Sequence, residues 1–194
     1  MLKRNSIMYL ALIGILTISM PVWAADLPVR NTALSTEEPL PSASKMARKE
    51  LQTLLDKGIE SLATELVQSG TFYPFAMMLG HDGDMRLIGI PAGLREASPN
   101  AVVLALVEKS VALAAEKRMK AVAFFMDYVG TRQDTGMTQA GIRAELNHQL
   151  PDAISVFVPY FITTDKKLRL LTPQFKPGVN KVFATQREGS SKSP

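Results

Sequence analysis

The chain contains no cysteine. That excludes a disulfide framework, thiol nucleophiles, cysteine-ligated zinc and iron–sulfur clusters, and leaves folding to rest on the apolar core. Histidine is scarce too, with His81 and His148 the whole complement, and tryptophan occurs once, at Trp23. Lysines and arginines such as Lys166, Lys167 and Arg169 are scattered among acids. They form no basic stripe interleaved with aromatics, so the signature of nucleic-acid binding is missing. No Gly-x-Ser-x-Gly elbow and no phosphate-cradling glycine loop is present.

What the sequence does carry begins at the N-terminus. Residues 1–24 open with Lys3 and Arg4, continue through an apolar run from Ile7 to Ile18, break at Pro21 and end Val22-Trp23-Ala24. This pattern predicts a secretory signal peptide cut after Ala24. A membrane anchor is the competing reading, but Gly14 and Pro21 interrupt the run, which falls short of the ~20 apolar residues that a span needs. Cleavage leaves 170 residues and lowers the formal charge from +4 to +2, because Lys3 and Arg4 depart with no acid. A periplasmic protein follows, touching a membrane only during export.

Residues 25–44, with Pro28, Pro39 and Pro41 among Ser, Thr and Glu, predict an extended linker. A single domain is expected over 45–184 and a disordered tail over 185–194. From Lys45 to Gln68 the residues Leu51, Leu54, Leu55, Ile59, Leu62, Leu66 and Val67 recur at helical spacing, so an amphipathic helix is expected, stopped by Gly70. Ser98-Pro99 reads as a cap and first turn for a second helix running to about Arg118, apolar on so many sides that burial on more than one face is expected.

Between the helices, residues 71–93 read as two apolar strands joined by a two-residue type I′ turn at Asp82-Gly83. That turn pairs Gly80 with Met85, Met78 with Leu87, Met77 with Ile88 and Phe75 with Ile90. It also puts Phe75, Met77, Leu79, Ile88 and Ile90 on one face and Ala76, Met78, Met85 and Leu87 on the other, both covered. After the second helix come a buried strand over 121–129, a polar loop over 130–141, and a strand over 142–149 with Arg143, Glu145 and Asn147 on its wet side. Strands over 153–162 and 168–171 follow, and a short element is expected at 181–184. The fold class is α+β, an antiparallel sheet of about five strands with two main helices packed on it, in the order α-β-β-α-β-β-β.

That element order resembles the roadblock dynein light chain and profilin-like arrangement. The segments Phe72-Tyr73-Pro74-Phe75-Ala76 with Asp82-Gly83, and Ala140-Gly141-Ile142 through His148 to Val158-Pro159-Tyr160, are similar to a family of small bacterial proteins of unassigned function. The resemblance spans roughly residues 51–171. It implies a fold and no activity.

The chemistry-bearing residues have simple explanations. His81, Asp82 and Asp84 lack a distant second histidine to complete a metal site, and Asp-Gly is accounted for by the turn. Asp127 and His148 make the best catalytic pair, but register places them about 13 Å apart, too far for a dyad. Ser98 caps a helix, Tyr128 and Tyr160 supply packing area, and of the ten methionines Met1, Met8 and Met20 leave with the signal while the others fill the core. No metal and no cofactor is expected. The expected function is non-catalytic binding of another protein, of an immunity type, or of a second copy. The contact residues are Arg132, Gln133, Asp134, Arg143, Glu145 and Asn147. Small-ligand capture is the alternative, and hydrolysis the third reading.

Overall fold

In the computed structural model the described residues are 45–94, 96–131, 135–150 and 152–184. The expected signal peptide, linker and tail lie outside them. Helix α1 (Lys45–Ser69) buries Leu51, Leu54, Leu55, Leu62 and Leu66, the face its periodicity marks out. It closes at Gly70, whose φ of +76° suits the left-handed cap that glycine adopts at least cost.

Strands β1 (Phe75–Leu79) and β2 (Met85–Ile88) form the expected hairpin, but not with the expected turn. The Gly83 N–H donates to the Gly80 carbonyl at 3.1 Å, and the Gly80 N–H to the Asp84 carbonyl at 2.9 Å. The loop is therefore three residues long, with Gly83 at φ +89° and Asp82 at negative φ. Asp82 turns its carboxylate onto the Asp84 N–H instead, the local bond that aspartate favours in turns. Register moves by one residue, to Ala76↔Ile88, Met77↔Leu87, Met78↔Arg86 and Leu79↔Met85. A one-residue slip reverses the faces of a strand. Ile88 thus joins Ala76 and Met78 in one core cluster, while Met85 packs beside Met77 and Leu79 in the other. Nor is β2 covered on both sides, since Leu87 is 63% exposed.

Helix α2 (Pro99–Ala115) starts where expected, with the Ser98 hydroxyl accepting from the Ala101 N–H at 3.4 Å. Its burial is narrower than expected. Val102, Leu106, Ser110 and Ala114 form one stripe, and Leu104 is 65% exposed. It also stops early: Lys117 takes φ +55°, the Arg118 N–H returns to the Leu113 carbonyl and the Lys117 N–H to the Ala114 carbonyl, a Schellman closure.

Strands β3 (Ala121–Thr131), β4 (Thr138–His148), β5 (Ala153–Ile162), β6 (Leu168–Leu170) and β7 (Gln174–Pro177) complete a sheet of seven strands, more than the five expected. The order is β2-β1-β3-β4-β5-β6, with β7 also on β5, and every pairing is antiparallel. On β3, Ala121, Ala123 and Phe125 pack under α1 while Val122 and Phe124 pack under α2, which explains an apolar run without alternation. The polar loop expected over 130–141 is largely strand, because β3 and β4 stay paired out to Thr131↔Thr138. Gly130 and Gly141 are not loop punctuation. The Phe157 ring crosses both, and a Cβ would come within 2.7 Å of it at Gly130 and 2.0 Å at Gly141. All described residues lie in one compact unit, and among them no helix is long and apolar enough to cross a membrane.

Candidate functional site

Alternation along β3, β4 and β5 puts Tyr128, Arg143, Glu145, Phe157 and Phe161 on the sheet face opposite α1. Helix α2 packs on that face over β1 and β3, toward the other end of β3. Tyr128 and Phe161 are consequently 43% and 47% exposed. The Tyr128 and Phe157 rings meet edge to face at 6.0 Å, and the Arg143 guanidinium sits 5.4 Å above the Tyr128 ring. Arg143 is held in turn by the Glu145 carboxylate, Nε to Oε1 2.8 Å, which also accepts from the Ser155 hydroxyl at 3.1 Å. Because Gly130 and Gly141 carry no Cβ, Phe157 lies flat along the sheet. The result is a fixed surface of aromatic rings and one guanidinium.

Of the six residues expected to make contact, Arg143 and Glu145 belong to this surface. Asn147 does not. It is buried at 1% exposure beneath the C-terminal segment, where its Oδ1 accepts the Lys181 N–H at 2.7 Å. The strand's wet side ends there because Val182 and Phe183 pack over it. Arg132, Gln133 and Asp134 lie outside the described residues. The sequence reading gives Tyr128 packing area and names neither Phe157 nor Phe161, although all three fall on this face once β3, β4 and β5 are paired.

His148 sits at the opposite end of the sheet, fully buried. The Leu150 N–H donates to its Nδ1 at 3.0 Å, so the ring proton stands on Nε2, which donates to Glu50 Oε2 at 2.8 Å. Lys120 Nζ meets the other Glu50 oxygen at 2.7 Å. Burial raises the Glu50 carboxyl, but the hydrogen bonds from Lys120 and His148 and the Lys120 charge outweigh it and hold the group below its ordinary value. This cluster ties α1 to the ends of β3 and β4. Nothing in the sequence joins positions 70 and 98 residues apart.

Asp127 pairs with Ile142, and His148 with Ala121. Six residues of strand separate the two, about 20 Å at ~3.3 Å per residue, even farther than the sequence suggests. The Thr71 hydroxyl instead donates to Asp127. Tyr160, buried beside it, reaches the Gly70 carbonyl at 3.4 Å. Burial, then the charge of and hydrogen bond to Asp127, push the Tyr160 hydroxyl up to about 12, so it stays a donor. At the hairpin tip Asp82 and Asp84 both pair with Arg86, and among the described residues no group of three or more His, Asp or Glu is placed to hold a metal ion.

No family model matches this chain, and no curated protein or solved structure matches it.

Proposed function

We propose that this chain is an exported, non-catalytic domain that binds another protein, or a second copy of itself, through the sheet face around Arg143, Tyr128, Phe157 and Phe161. The observation carrying this reading is the exposed Tyr128 ring, packed on the half-buried Phe157 ring with the Arg143 guanidinium stacked above it. Tyrosine and arginine dominate the energetics of protein contacts, and a surface already held by Glu145 and the cleared glycines loses little entropy on binding. Export is the N-terminal half of the proposal. It rests on residues 1–24.

Two measurements test it. A Tyr128→Ala/Arg143→Ala variant should stay folded, losing about 1–3 kcal/mol because the Tyr128–Phe157 contact and the cation beside Glu145 both go, yet lose the partner or dimer that the parent recovers by affinity capture and light scattering. Undiminished recovery overturns the assignment of this face. Replacing Arg132, Gln133 and Asp134 with Ala tests whether residues 132–134 share the contact. For export, the N-terminal sequence of periplasmic material should begin at Ala25, and that material should lack tryptophan emission because Trp23 is gone. A retained Met1 in the membrane fraction overturns it.

A further inference from the structure

A cleft of about 420 Å³ opens where the end of α1 and the segment leading into β1 approach β3 and the start of α2. That volume lies within the range of small-molecule sites. Phe72, Pro74 and Pro99 give it apolar walls, and Glu65 and Asp127 bring the two charged side chains of its lining. No lysine or arginine is among the described residues that line it.

The charge has one sign, and the backbone agrees with it. Ser69, at the last position of α1, borders the cleft, so the negative end of a helix of 25 residues faces it. Helix α2 would oppose this with its positive end, but it enters through Pro99, which has no N–H, and the Ser98 hydroxyl takes the Ala101 N–H. An anion would therefore find few donors. Asp127 is also held in place, because the Thr71 hydroxyl binds one carboxylate oxygen and Tyr160 approaches from beneath.

We propose that this cleft binds a small organic cation, an ammonium or guanidinium head on an apolar stem. The head meets Asp127 and Glu65, and the stem lies along Phe72, Pro74 and Pro99. The site is separate from the aromatic surface proposed above and stands or falls independently of it.

Benzylammonium, benzyl alcohol and benzoate share one stem and differ in charge. Titrated into the isotope-labelled chain, benzylammonium should shift the backbone amides of Thr71, Phe72 and Asp127 and saturate with a Kd of about 1 mM, ordinary for so small a ligand. Benzyl alcohol should bind about tenfold more weakly, the worth of one charge-assisted hydrogen bond. Benzoate should not bind. Asp127→Asn should lose about tenfold in affinity, and Glu65→Gln, on an exposed turn of helix, gives the same comparison in a variant that keeps the Thr71 and Tyr160 contacts. Equal binding of alcohol and ammonium, preference for benzoate, or shifts that never saturate would each overturn the proposal.

Discussion

Gly58, in the middle of α1, lies against the ring of Phe125, so close that a Cβ there would stand 1.9 Å from the ring's Cζ. The ring is fully buried and stacked on Phe75 at 4.8 Å, which leaves it nowhere to turn. A glycine that weakens the helix by about 1 kcal/mol thus lets α1 settle on β3.

Gly58→Ala should for that reason destabilise the protein by about 1–2 kcal/mol, overpacking outweighing the gain in helix propensity. Adding Phe125→Leu should restore part of the loss. Denaturant unfolding of the single and double variants measures both. A more stable single variant would mean that the ring moves aside.

The β1–β2 and β5–β6 hairpins close with the same turn, Gly83 at φ +89° in one and Lys166 at φ +56° in the other. Gly83→Val should cost about 1–2 kcal/mol through backbone strain alone, since no atom lies within 4 Å of its would-be Cβ. Lys166→Gly should add about 1 kcal/mol of stability by relieving the same strain, and Lys117→Gly at the end of α2 should do likewise. Thermal melts of the three variants give the signs. An unchanged melting temperature in all three would remove the left-handed conformations from the account.

Glu50 sets an acid limit. Its folded value lies below the ordinary 4.5, so its contribution is complete above that pH and is lost as pH falls through the depressed value. Glu50→Gln should be less stable at neutral pH by about 1–3 kcal/mol, because Lys120 loses its partner. It should also lose less than the parent as pH falls below 4.5. Parallel acid limbs in the two proteins would show that another carboxylate governs this range.

Asn147→Ala should free the C-terminal segment locally. The Lys181 N–H loses its acceptor at a part-buried position, a cost of about 1–3 kcal/mol. Hydrogen exchange should quicken at Lys181 and Phe183 while the amides of α1 keep their protection. Uniform acceleration throughout would point instead to global destabilisation.

Local physics alone determined much of this protein. The buried stripe of α1, its stop at Gly70, the Ser98-Pro99 start of α2 and the bounds of β5 are all legible, because each depends on residues within a turn or two of one another. The α+β class follows from their order. Tertiary structure decided the rest. Whether Asp82-Gly83 makes a two- or three-residue loop changes little locally, yet it decides which face Ile88 and Met85 occupy, and packing under α1 and α2 distinguishes the two. Gly130 and Gly141 read as loop in sequence and become strand because Phe157, from the far side of β4, crosses them. Asn147 reads as surface and is buried by residues 34 positions onward. Arg143 and Glu145 were legible as surface, but the rings that stand beside them came from neighbouring strands. Periodicity tells which face of one element is apolar, and only the pairing of distant elements tells what stands beside it.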